Sequence, residues 1–287
     1  MVRKVTPAQF RSQMQRSQQQ RRQAINNLKS SIRKYNQAVT NYNGAARQHI
    51  VRVRANRERL QRELARLSTT TRTTTRVTFR TSVVTVQEAY LRVEDAAKAD
   101  GWAGDNTLLD LIEGEAANTA ATWNALHGQP TDEPSVDHGL SDTRITDELS
   151  AIDPDFDARW RGALFALNPA NPDAARHFCT SSRELIDRIL VRTAPDDVVR
   201  TDLPNYKPTP NGGVSRRARI HSCLVRSGRY SAEVHDFADA DLENVIRLFD
   251  EFNEGTHGSA GHFSVSQLRT IKQRVEDALL FLHEVVR

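Results

Sequence analysis

The stretch 264-SVSQLRTIKQRVEDALLFLHEVV-286 places Leu268, Ile271, Val275, Leu279 and Leu282 three, four, four and three residues apart. That spacing lays all five on one face of an α-helix. The same grammar recurs upstream. In 236-DFADADLENVIRLFDEF-252 the apolar face is Leu242, Val245, Leu248 and Phe249, with Asp236 as the expected start. In 154-PDFDARWRGALFAL-167 it is Phe156, Trp160, Leu164 and Leu167, and Asn168-Pro169 ends the run. Pro172 is placed as an N1 proline for a helix through 172-PDAARHFCTSSRELIDRILVR-192. A helix-free loop, 204-PNYKPTPNGG-213, separates this from a shorter helix in 214-VSRRARIHSCLVR-226. Asp153-Pro154 and Pro195-Asp196-Asp197 read as helix boundaries. From about residue 141 onward the expectation is a compact all-α bundle of about five helices.

The N-terminal part has a different period. Ile25, Ile32, Val39, Ala46, Val53, Leu60 and Leu67 recur every seven residues. A second row, Leu28, Tyr35, Tyr42, His49 and Asn56, follows three residues behind, and Glu63 breaks it. This a/d pattern predicts one long coiled-coil-like helix over about 20–67. The Thr-rich run 68-STTTRTTTRVTFRTSVVTV-86 is expected to end it, with a short strand at Val77, Phe79 and Thr81. Ser82 is a candidate N-cap for a helix over 83–99, and Asp105 for a second over 106–127. The segment 127-HGQPTDEPSVDHG-139 reads as a linker. The expected fold class is therefore mainly α: a basic heptad arm over 1–80, an acidic helical pair and linker over 81–135, and a helical domain over 141–287.

Charge divides the same way. The net +4 conceals 19 Lys/Arg against two acids in residues 1–80, a net +17, and 21 against 34 in the remainder, a net −13. The arm's Arg47, Arg52, Arg54, Arg57 and Arg59 form a face suited to bidentate phosphate contacts. Nucleic-acid backbone binding, self-docking on the eight acids of residues 83–127 and homo-oligomerisation through the heptad rows are the partner readings. No apolar run reaches the roughly 20 residues of a membrane span, and no apolar leader follows Met1. With only Cys179 and Cys223, no disulfide framework is expected, which suits a reducing cytoplasm.

Three constellations bear on chemistry. The run 252-FNEGTHGSAGHF-263 lies between the last two helices, with Gly255 and Gly258 suited to a turn. Asn253 and His257 flank that turn, His262 faces the same mouth, and Arg247 is the nearest cation. Histidine is the usual general acid or base near neutrality, and Asn with Arg can steady a phosphate or oxyanion. A glycine turn with a helix-capping Asn is the plainer reading. Second, Arg216, Arg217 and Arg219 open the 214–226 helix after Gly212-Gly213, as a phosphate-contacting patch, and Arg216 with His221 makes an Arg-x4-His spacing. Third, His177-x-Cys179 and His221-x-Cys223 suggest zinc, but i and i+2 on a helix face apart, so no metal and no cofactor is expected.

The Asn253-x-x-x-His257 turn before a final amphipathic helix resembles that of HEPN-type helical bundles. The stretches 176-RHFCTSSRELIDRIL-190 and 252-FNEGTHG-258 more specifically resemble the predicted nuclease family associated with prokaryotic PIWI proteins, over about residues 142–287. The resemblance implies a metal-independent ribonuclease of a defence or conflict system. His257 would then be the acid/base, with Asn253 and an arginine stabilising charge. Phe252 stands where the HEPN pattern has arginine, so the cation falls to Arg247, Arg183 or Arg176. The alternative is a non-catalytic adaptor that binds nucleic acid or oligomerises and docks a partner effector.

Overall fold

The computed structural model describes residues 7–67, 74–98, 106–127, 139–168, 170–254 and 263–287. These residues form ten helices and no strand. They are α1 (Pro7–Ala65), α2 (Thr74–Lys98), α3 (Asn106–Leu126), α4 (Thr146–Ile152), α5 (Pro154–Ala166), α6 (Ala174–Thr193), α7 (Asp196–Asp202), α8 (Arg216–Arg226), α9 (Ala232–Glu254) and α10 (Val265–Val286). The chain is thus mainly α. By contacts it divides into two units, Met1–Ala55 and Asn56–Arg287. In the first, the heptad residues Ile32, Tyr35 and Val39 are exposed.

The second unit is built around α9 and α10. Helix α2 lies along α9, α3 packs on α10 and α2, and α5 packs on α6. Every residue named above for the apolar faces of α5, α9 and α10 is buried. Aromatic pairs knit the layers: Phe79 meets Trp123 at 5.6 Å, Trp160 meets Phe178 at 5.6 Å, and Phe237 meets Phe281 edge-on. The helix starts carry the expected chemistry. Asp153 caps α5 by accepting from Asp155 N, with Pro154 at the first turn, and Ser215 caps α8. Ser264 and Gln267 form a reciprocal capping box at α10.

Several expected boundaries are corrected. Helix α1 starts at Pro7, well before residue 20, and α9 starts at Ala232. Helix α6 starts at Ala174, two residues after Pro172. Residues 141–287 hold seven described helices, because α4 and α7 add two short ones. The strand at 77–81 is helix: α2 begins at Thr74 and buries Phe79, Val83, Val86, Tyr90 and Val93. Burial on a helical period outweighs the weak β preference of Thr and Val. Thr81 and Thr85 also donate to the carbonyls of Val77 and Thr81, which satisfies their hydroxyls inside the helix. Ser82 lies mid-helix and donates to Phe79 O, so it is no N-cap.

A charged knot crosses the core. Arg274 of α10 is fully buried and donates to Glu115 of α3 and to Asp241 and Asn244 of α9. Asn244 continues to Ser82 of α2, and Thr119 of α3 donates to Asp241. Burial raises the pKa of Glu115 and Asp241, and the Arg274 charge opposes that rise. Four helices are thereby held in one register by a single guanidinium.

Candidate active site

The C-terminal end of α9 is apolar on its core side and acidic beside it, where Glu251 accepts from Arg76 at 3.0 Å. Leu248, Phe249 and Phe252 are buried, and Phe252 lies 4.6 Å from the Phe263 ring. Phe252 therefore fills the core at the position where the HEPN pattern calls for a cation. Asn253 sits in the last turn of α9, but its side chain, with His257 and His262 in 255–262, lies outside the described residues. Arg247 is on the outer face, paired with Glu243 at 2.6 Å and Asp250 at 3.4 Å. Asp250 also accepts from Arg183, whose guanidinium stands 5.7 Å over Phe249. The third cation offered in place of the missing arginine, Arg176, pairs with Asp173.

The arm's arginines have different fates. Arg54 is exposed, and the side chains of Arg47 and Arg52 lie outside the described residues. Arg57 reaches Glu94 at 2.7 Å and Glu113 at 3.8 Å, and Arg59 donates to Asn118. Leu60 is buried, and Glu63, the residue that broke the heptad row, accepts from Asn124 at 2.7 Å. The last turns of α1 are thus docked on the acidic pair α2–α3, as the self-docking reading expects.

The patch on α8 is largely spent inside the protein. Arg219 is nearly buried and donates to Asp196 and to Ala194 O. It therefore fixes α8 against α7 and is not presented to a phosphate. Arg217 is held by Asp236 and Asp239, each at 2.6 Å, and Arg216 lies 3.7 Å from Asp187.

Beside Arg217 opens a cavity of about 490 Å³, between the 202–207 segment, α8 and the first turn of α9. Tyr206, Lys207, Ser215, Arg217, His221 and His235 line it. The two imidazoles lie 4.7 Å apart, centroid to centroid, and His221 stacks on Tyr230 at 4.3 Å with 14° between planes. His235 is buried, and its Nε2 lies 3.1 Å from Arg217 O. A carbonyl only accepts, so neutral His235 carries its proton on Nε2 and its lone pair on Nδ1. Neither ring nitrogen of His221 has a hydrogen bond among the described residues. Burial pushes the pKa of both rings down; His235 and Arg217 add to this for His221. Both are mainly neutral at pH 7. A more open cavity of about 590 Å³ holds a single histidine, His283, among Asp147, Glu148 and Arg192.

Sequence reading missed His235, yet a signal exists. His221 and His235 stand seven residues on either side of Gly228, whose φ of 68° ends α8. Gly228 N–H donates to Val225 O and Arg229 N–H to Leu224 O, closing a left-handed cap. In a helical hairpin, residues equidistant from the turn lie at the same level, and here both fall on the inner faces, with the rings 4.7 Å apart. Among the described residues no group of three or more His, Cys, Asp or Glu is placed to hold a metal. Cys179 and Cys223 are free and buried, and burial raises the Cys179 thiol.

Residues 149–282 match the family described as predicted pPIWI-associating nuclease. The match agrees with the resemblance seen in the sequence. It spans the α8–α9 cavity and the turn after α9, and leaves the arm and α2–α3 outside. No curated protein and no solved structure matches the chain. No described helix is long and apolar enough to cross a membrane.

Proposed function

We propose that this chain is a nuclease component of a prokaryotic defence or conflict system that cleaves RNA in preference to DNA by side-chain acid/base chemistry without a metal. One observation supports this above others: the span that matches a nuclease family contains a cavity with two imidazoles side by side. Paired histidines can take a proton from an attacking hydroxyl and return one to a leaving oxygen. In this reading the basic arm grips the phosphate backbone through Arg54 and its neighbours, sequence-independently. The partner class is a PIWI-type protein, and the setting is cytoplasmic.

The resemblance offers His257 as acid/base, supported by Asn253 and an arginine. The core position of Phe252 speaks against that turn as a catalytic centre and favours, as a second reading, a non-catalytic adaptor. The test is incubation of the full chain with 5′-labelled single-stranded RNA and DNA in EDTA, followed by end-group analysis. RNA products ending in 2′,3′-cyclic phosphate and 5′-hydroxyl are expected. Intact substrates support the adaptor, and cleavage that EDTA abolishes contradicts metal-free chemistry.

A further inference from the structure

The nuclease reading leaves open which groups move the protons, and this inference rests on that reading. We propose that His235 and His221 are the proton-transfer pair of a phosphodiester-cleaving site for single-stranded RNA. Nδ1 of His235 takes the proton of a ribose 2′-hydroxyl as that oxygen bonds to phosphorus. The bond from phosphorus to the 5′-oxygen breaks, and protonated His221 gives its proton to the departing oxygen. The strand leaves as a 2′,3′-cyclic phosphate and a 5′-hydroxyl. His235 is then protonated and His221 neutral, and exchange with water restores both.

Geometry assigns these roles. Arg217 O fixes the His235 tautomer, so its lone pair lies on the nitrogen that has no partner. His221 lies face to face with Tyr230, whose electron-rich ring favours an imidazolium over a neutral ring. Tyr230 is 43% exposed. It stands next to Arg229, which donates to Glu284 O, so the aromatic is presented by a fixed turn. Lys207 is exposed on the cavity wall, with no ion pair among the described residues, and is the cation available to a phosphate. The nearby carboxylates are already occupied. Asp202 accepts from Ser222, and Asp236 and Asp239 hold Arg217. A concave site of this size admits a splayed, unpaired nucleotide and not a duplex.

The charged and titratable groups around the pair are Arg217 from α8, Asp236 and Asp239 from α9, Asp202 from α7, Lys207 and Tyr206 from the following loop, and Tyr230 from the turn. With both imidazoles shifted down, the state with one neutral and one protonated ring is most populated below pH about 6.5 in the free protein. Single-turnover RNA cleavage in EDTA with enzyme below saturation, which reports the free protein, should therefore peak below that pH. H235Q keeps an N–H for Arg217 O but has no basic nitrogen. It should slow cleavage by about 10²–10⁴-fold at unchanged melting temperature and erase the acidic limb of the profile. H221A should erase the alkaline limb. A readout without turnover is the histidine-ring NMR spectrum of the full chain with a 2′-O-methyl oligoribonucleotide, in which attack is blocked. The His221 and His235 signals are expected to shift and titrate at higher pH. Wild-type cleavage that both variants retain overturns the pair while leaving the nuclease reading intact. Ring signals that the oligonucleotide leaves unmoved also overturn it. Shifted signals without any wild-type cleavage overturn the transfer roles and the nuclease reading together.

Discussion

The two ends of α9 invite opposite conclusions from sequence and from structure. At the C-terminal end stands the histidine-bearing turn that resembles a ribonuclease motif, yet there Phe249 and Phe252 are buried, Phe252 meets Phe263, and the neighbouring Asp250 and Glu251 are tied to arginines. At the N-terminal end, His235 sits in an acidic stretch with no motif. There it faces His221 across a hairpin, beside a cavity. A chemically suggestive string is not a site until its side chains converge, and convergence depends on packing that local sequence does not encode.

The largest effect expected from breaking this contrast follows Phe252→Arg, which puts back the cation of the HEPN pattern. It would exchange a fully packed ring for a buried charge and cost about 5 kcal/mol or more in urea unfolding. An arginine that folds normally and raises cleavage would restore the C-terminal end as the active one. Arg274→Met comes next. It leaves Glu115 and Asp241 buried without their guanidinium and should cost about 3–5 kcal/mol, lowering the denaturation midpoint.

Smaller effects sharpen the N-terminal end. The pKa of His235 is lower in the folded chain than the usual value near 6.5, so the unfolded chain binds its proton first as pH falls. Its contribution to stability is complete above pH about 6.5 and is lost as pH drops toward the folded value. Stability curves of wild type and H235Q should therefore coincide above pH about 6.5 and separate below it, wild type falling and H235Q not; curves that stay together would place His235 in contact with solvent. Lys207→Ala should weaken single-stranded RNA binding equally for all sequences and reduce the salt slope by about 0.7, as for one lost phosphate contact. Smallest of all, Arg57→Ala should cost under about 1 kcal/mol, since Arg57 is 46% exposed and its pair with Glu94 is screened.

Much of the fold was legible because burial follows the helical period. The faces of α5, α9 and α10 are the residues that the spacing picks out, and Asp153-Pro154 marks a true helix start. Helix α2 was misread at its start, because the Thr/Val composition favours strand while the buried row from Phe79 to Val93 is a tertiary fact. The site was less legible. Arg219 looked like a phosphate contact, but Asp196, 23 residues upstream, takes its charge into the protein. The importance of His235 depends on a cap at Gly228 that sets two helices back to back.

The most direct test compares H235Q with His257→Ala in one experiment: single-turnover cleavage of single-stranded RNA in EDTA at the pH optimum. Proton transfer at the N-terminal end of α9 predicts that H235Q is at least about 100-fold slower than His257→Ala, with both variants melting like wild type. The reverse ranking would contradict the assignment and return the chemistry to the turn after Phe252.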